Sequence, residues 1–302
     1  MRIGYFAGSG VPSLDAVVAA ARRAHDAGFD TFWLPQVTGL DALVALAVVA
    51  REVPQIELAT AVVPIQGRHP LPLALAALTV ADAAGPGRFT LGLGVTHPSV
   101  SEGWFGVPYR GIVDACGEVL AALSGLFSAE RRADVDGAHL RVHASTALRA
   151  PAPGIVLAAM GPRMIGLAGT HADGTLTWMS GPAAVRAVAE RLEAVTREAG
   201  RPAPRVAVGI PVCVTDQPDA ARARMAGYLD MAARMPAYRR QLDIEGVAQP
   251  VDLAVVGTEA EVDAHLDRFV EAGMTELCAN IVGAPEEVER TMAHLVARRR
   301  TA

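Results

Sequence analysis

Eight short apolar runs, each followed by a stretch of helical pattern, set the architecture open to this chain. The runs are Arg2–Phe6, Phe29–Leu34, Ile56–Val63, Phe89–Gly94, Ile155–Ala158, Gly174–Trp178, Arg205–Val214 and Glu276–Ile281. Between them the period changes. Ser13 is placed to cap a helix that reaches Ala27 and closes at Gly28. Asp41 to Arg51 stops before Pro54, and Leu71 to Ala84 ends at Gly85-Pro86-Gly87. Val185, Val188, Leu192 and Val195 share one helical face, as do Val262, Leu266 and Phe269, and Pro285 to Arg300 closes the chain as a helix. Strand and helix alternating in this way predict an α/β fold, a (β/α)8 TIM barrel, over an open doubly wound sheet. The first strand–helix turn also lacks GxGxxG. Two stretches break the rhythm: about 96–153, with a helix over 113–124, and about 216–250, with a polar helix from Asp219 to about Arg240. They read as insertions after strands four and seven of one domain spanning 1–302. A barrel accommodates that length, since it spends roughly 250 residues on a single domain. Ala27-Gly28-Phe29, Ala172-Asp173-Gly174 and Ala272-Gly273-Met274 read as one helix-to-strand joint used three times, with a glycine able to take positive φ.

Composition narrows the chemistry. All 27 basic residues are arginine, which excludes a Schiff-base aldolase, a pyridoxal enzyme, a carbamoyl-lysine hydrolase and a P-loop lysine. A formal charge of −5 without a basic block offers no positive face to nucleic acid. With 51% hydrophobic residues the chain can fill a large core and is not disordered. Cys116, Cys213 and Cys278 are far apart and form no CxxC, as expected of a protein of the reducing cytoplasm. The start reads as a strand rather than a signal peptide, and the longest apolar run, Leu71 to Ala81, is too short to span a bilayer.

In a barrel the active site lies on the loops after the strands. Here those loops, from Ala7-Gly8-Ser9 to Asn280, are mostly apolar and nearly free of carboxylates. Such a wall suits a flat apolar ligand better than a sugar or a divalent metal. Paired-carboxylate hydrolysis lacks its acids, and no GxSxG is present. His139 and His143 have HxxxH spacing but fall in the first insertion, where a surface pair is expected and no metal. Cys213 and Cys278 lie in apolar strands and read as core packing. His97 follows Gly92-Leu93-Gly94-Val95-Thr96, whose glycines would let a ligand approach, and precedes the aromatic loop Trp104-Phe105. It reads either as an idle loop histidine or as a proton donor. Gly161-Pro162-Arg163 reads either as an ordinary helix start or as an anion seat.

Several segments, in order, resemble the bacterial luciferase-like superfamily of flavin and deazaflavin enzymes. They are Ala27 to Pro35, Arg68-His69-Pro70, Gly85-Pro86-Gly87-Arg88-Phe89-Thr90-Leu91-Gly92-Leu93-Gly94, Ala158 to Met164, Ala172-Asp173-Gly174, and Val256-Gly257-Thr258 with Glu261-Val262. The chain looks most like the branch that uses coenzyme F420, related to methylenetetrahydromethanopterin reductase. The resemblance implies a redox ring in the barrel mouth, backed by a bulge after strand three with a non-proline cis peptide at Ala61–Val62. It implies a cofactor site made by Gln36, Ala61, Val62, Val63, Thr96, His97, Ala159, Met160, Gly161, Pro162, Arg163 and Met164. The last six lie on the strand-five loop, where the phosphate-bearing tail is expected beside Arg163. Relatives of the branch often place a histidine where this chain has Gln36-Val37, and some a glutamate where it has His97. His97 is therefore the expected catalytic acid.

The resemblance implies an F420-dependent oxidoreductase that moves a hydride between the cofactor C5 and a small organic substrate, with Trp104, Phe105, Trp178 and Met179 shaping the substrate pocket. An FMN-dependent monooxygenase and a non-catalytic flavin-binding protein are the alternatives. A homodimer is the expected assembly.

Overall fold

The computed structural model describes the backbone of residues 1–8, 10–233 and 235–301; Ser9, in the loop after the first strand, lies outside the described residues. The chain runs β1 (Arg2–Phe6), α1 (Leu14–Ala27), β2 (Thr31–Leu34), α2 (Ala42–Glu52), β3 (Glu57–Thr60), β4 (Val63–Pro64), α3 (Pro70–Ala84) and β5 (Phe89–Gly94). There follow α4 (Pro98–Gly103), α5 (Ile112–Phe127), β6 (Arg132–Asp136), β7 (Arg141–Ser145), β8 (Gly154–Leu157), α6 (Pro162–His171), β9 (Gly174–Trp178) and α7 (Pro182–Glu198). The last part comprises β10 (Arg205–Val214), α8 (Pro218–Ala233), α9 (Pro236–Glu245), a 3-10 turn at Pro250–Leu253, β11 (Val255–Gly257), α10 (Glu259–Glu271), β12 (Glu276–Ile281) and α11 (Pro285–Thr301).

Strands β1, β2, β3, β5, β8, β9, β10 and β12 pair in parallel in that order, and β12 returns to β1. This closed eight-stranded ring is the barrel that the alternation predicts. Successive side chains point to opposite faces of each strand. Trp33, Ala59, Val156, Leu176, Ala207 and Cys278 accordingly fill the barrel interior, while their neighbours pack outward on the helices.

The helix signals act as read. Ser13 Oγ accepts from Ala16 N at 3.2 Å, and Gly28 closes α1 at φ 104°. At the third joint Gly273 likewise has φ 97°. Gly174 differs: its φ is not positive, and a Cβ there would stand 1.9 Å from the Arg205 carbonyl oxygen, so close strand approach is what requires it. The motif residues Arg68-His69-Pro70 are structural too. Arg68 pairs with Asp41 at 2.5 Å, His69 Nδ1 accepts from Leu71 N, and Pro70 opens α3. Arg88 donates to the carbonyls of Val53, Ile56 and Ala84, tying the end of α3 to the loop before β3.

Strand three is two pieces, β3 and β4, separated at Ala61–Val62, where the resemblance implies the bulge. Three local features differ from the sequence reading. The first insertion holds the antiparallel hairpin β6–β7, whose strands alternate exposed charge with Ala133, Val135, Val142 and Ala144. The second insertion is two helices, α8 and α9, rather than one. Val255–Gly257 adds a short strand beside the end of β10.

Candidate active site

The two ends of the barrel are built differently. At the N-terminal end, Glu276 is fully buried and accepts from Trp33 Nε1 at 2.9 Å and Arg205 Nε at 2.7 Å, with Arg2 Nε 3.4 Å away. Arg205 also reaches the Thr90 hydroxyl and lies 5.0 Å over the Trp33 ring. This end is sealed.

At the mouth, the topmost interior layer is apolar and half-buried: Phe6, Ala61 and Val62, with Trp178 tilted on Phe6 at 5.0 Å between ring centroids. Strand three breaks beside this layer. Thr60 Oγ1 donates to Gly92 O and accepts from Gly92 N, both at 2.8 Å, and the Ala61–Val62 bond that follows is cis. The glycines of β5 serve this break rather than a ligand. A Cβ at Gly92 would meet Thr60 O at 1.8 Å, and one at Gly94 would meet Val62 Cγ2 at 2.7 Å.

His97 follows β5 at the N-cap of α4, half-buried, its ring 6.0 Å from that of Tyr238 in α9. Burial pushes its pKa below the usual imidazole value, because removing water penalises the charged form. The residue before it is held by a buried amide: Gln66 Oε1 accepts from Thr96 N at 3.1 Å. Gln66 is 3% exposed, and its Nε2 has no partner among the described residues. Sequence reading missed this residue. Its one signal is a lone amide in the apolar turn Pro64-Ile65-Gln66-Gly67.

The strand-five loop ends at Gly161, the N-cap of α6, which makes no side-chain cap bond, and Pro162 occupies the first turn. The backbone N–H groups of Arg163 and Met164 therefore face outward at the positive end of the helix dipole. A Cβ at Gly161 would meet nothing within 4 Å. Arg163 is exposed and pairs with Asp114 at 2.5 Å.

The remaining expected residues are distributed around this core. Gln36 is half-buried, and its Oε1 accepts from Ala42 N at 3.1 Å, so it caps α2. Met160 is half-buried beside Ser180, whose hydroxyl lies 3.7 Å from its sulfur. Val63, Ala159, Met164 and Met179 are buried in the layer between barrel and helices. Trp104 and Phe105 are 60% and 41% exposed, and the Phe105 ring lies on Gly67. Thiol chemistry has no place here. Burial pushes Cys116 up to about 12, Cys213 up to about 11 and Cys278 well above its ordinary value. His143 is exposed and sits between Asp134 and Asp136, and no metal-holding group occurs among the described residues.

The residue types gathered here suit a planar ring with an anionic arm. The half-buried apolar layer offers it a face, the orphaned amide of Gln66 lies behind the loop that carries His97, and the uncapped α6 offers donors to an anionic arm. The profile of the luciferase-like monooxygenase family matches residues 1–299. A Mycobacterium tuberculosis protein provisionally named a coenzyme F420-dependent oxidoreductase is 33% identical over 191 residues, 58% of this chain and 54% of that one. The match thus spans about half the length of that relative. The 5,10-methylenetetrahydromethanopterin reductase of Methanolobus tindarius is 28% identical over 274 residues, 85% of this chain and 82% of that one. Among solved structures, an F420-dependent secondary alcohol dehydrogenase bound to an F420-acetone adduct superposes with TM-score 0.83 at 19% identity, covering 98% and 97% of the two chains. An FMN-bound type II Baeyer-Villiger monooxygenase component from Pseudomonas putida gives 0.79 at 18%, covering 98% and 96%. The chain belongs to the luciferase-like monooxygenase family.

Proposed function

We propose that the protein is a coenzyme F420-dependent oxidoreductase acting on a small organic substrate. The observation that carries this reading is the half-buried apolar layer of Phe6, Ala61, Val62 and Trp178 at the barrel mouth, on the end of the barrel where His97 follows β5. The named relatives support the choice of cofactor. Bound there, the deazaflavin supplies a hydride donor or acceptor at C5.

The chain's own residues do the rest. The apolar layer excludes water from one face of the ring. The N–H groups at the start of α6 and the Arg163 guanidinium hold the anionic tail. Gln66 fixes the Thr96–His97 backbone. His97 moves the proton at its ring nitrogen. Because burial lowers its pKa, the neutral imidazole prevails at neutral pH. It is therefore better prepared to accept a proton from a substrate being oxidised than to donate one to a substrate being reduced. Titrating the purified protein with oxidised and reduced F420 beside FMN, read by fluorescence quenching, tests the assignment. Tighter binding of F420 is expected. Tighter binding of FMN would transfer the site to the monooxygenase reading, and tight binding without turnover on any substrate panel would make the protein a carrier.

A second copy of the chain is the proposed partner, covering the exposed Val44 of α2 and Leu75 of α3, which are 65% and 39% exposed. Light scattering on the eluted protein reads the mass directly. With three free, buried cysteines and no described helix long and apolar enough to cross a membrane, the reducing cytoplasm is the proposed compartment.

A further inference from the structure

Helix α9 reaches from the loop after β5 to the loop after β9. At one end the Tyr238 ring packs on His97, the rings inclined at 54°. At the other, Glu245 Oε1 accepts from Ala184 N at 2.7 Å. Ala184 is the third residue of α7, a helix whose own N-cap, Gly181, makes no side-chain cap bond. Glu245 therefore satisfies a terminal donor of α7 from another element and places negative charge at the positive end of its dipole.

The seat has the shape of the carboxylate. A Cβ at Gly181 would stand 2.4 Å from the carboxyl carbon of Glu245 and 2.7 Å from its Oε2. Tyr238, Gln241 and Glu245 lie on one helical face and span about 10 Å along the axis. Gln241 lies between them, 3% exposed, with its Oε1 unpartnered among the described residues. Burying this face thus leaves an acceptor unsatisfied, and the Glu245 contact offsets that opposition.

We propose that Glu245 is a positioning residue: seated on the bare N-terminus of α7 at Gly181, it latches α9 as a roof over His97. The catalytic meaning of the latch rests on the role given to His97 above; its structural part does not. Tyr238 is the titratable group packed on His97, and burial alone lowers the imidazole's proton affinity, with no charged side chain of the surrounding elements contributing among the described residues.

The latch can be read without any substrate. In the full chain, the His97 Cε1–H resonance is titrated by NMR, and trypsin cleavage at the exposed Arg239 and Arg240 is timed. Cutting the latch with Glu245→Ala, or filling its seat with Gly181→Ala, is expected to bring the His97 midpoint up to about 6.5, the value of a free imidazole. Either change is also expected to speed the tryptic nick by about tenfold, since more of the protein then has α9 open. Glu245→Gln keeps an acceptor oxygen in the seat and should fall between wild type and alanine. A Glu245→Ala protein that folds, keeps the His97 midpoint and resists trypsin as the wild type does overturns the proposal. Should Gly181→Ala fail to fold, Glu245→Ala decides alone. Turnover of His97→Ala separately reads whether that imidazole moves the proton at all.

Discussion

The barrel's two ends differ in how they hold charge. At the closed end a fully buried carboxylate, Glu276, accepts from Trp33 and Arg205, with Arg2 Nε 3.4 Å away and without a hydrogen bond of its own among the described residues, and Arg205 is shared further with Thr90. At the mouth, Gln66 Nε2 and Gln241 Oε1 are buried without partners among the described residues, and Phe6 and Trp178 are left half-buried. An unsatisfied buried polar atom costs about 1–3 kcal/mol, and at the mouth two neutral amides carry that cost beside the half-buried aromatic rings. Both ends are made by the same eight strands. What separates them is which residue types stand at the strand starts and which at the strand ends.

Removing Glu276 gives the largest expected effect. Glu276→Ala leaves Arg205, 20% exposed, without its carboxylate partner, while Arg2 keeps Glu57 at 2.6 Å. Breaking a buried ion pair from one side costs about 3–5 kcal/mol, to be read from urea unfolding. Glu276→Gln, which keeps an acceptor for Trp33 Nε1, should lose less. A loss below about 1 kcal/mol for the alanine variant would mean that water already enters this end, and the contrast with the mouth would fail.

His97→Ala should do the reverse, lowering turnover about 10²- to 10⁴-fold while leaving the unfolding midpoint unchanged, since no hydrogen bond to its ring is among those described. The pH profile sharpens this. His97 titrates below 6.5 because it is buried. Above its pKa the ring is neutral and can accept a proton. Substrate oxidation therefore rises as pH increases through a midpoint below 6.5 and then levels, while reduction falls over the same interval. A rising limb centred above 7 would assign the proton to another group.

The scaffold was far more legible in the sequence than the side-chain pairings at either end, and the Glu276 site went unread. Strands such as β2 and β10 declare themselves by composition, and Ser13, Gly28 and Pro162 mark helix ends by chemistry that acts within a few residues. The break at Ala61–Val62 is silent in periodicity. It depends on Gly92, about thirty positions away, giving room to the Thr60 carbonyl, and only the family resemblance pointed to it. Gln66 and Thr96 meet across a similar separation. The hairpin β6–β7 hides because one face is charged and the other carries small residues. The roof over His97 comes from α9, in a polar stretch whose apolar face is too narrow to announce a partner. Long-range pairings of single side chains leave no local pattern, and both ends of the barrel are made of them.

The smallest effect expected on stability belongs to Arg163→Ala. The Arg163–Asp114 pair is 67% and 60% exposed, and exposed pairs are worth about 0–1 kcal/mol, so unfolding should shift by less than about 0.5 kcal/mol. The affinity for F420 should nevertheless fall by about tenfold, the size of one charge-assisted contact in partial solvent, and should become less sensitive to salt. Asp114→Ala should act in the opposite direction by freeing the guanidinium. If Arg163→Ala keeps both affinity and salt dependence, the arginine serves only its surface partner. The anion seat would then be the uncapped N–H groups of α6 by themselves, and the two ends of the barrel would differ in that one satisfies its charges with side chains and the other receives charge on backbone.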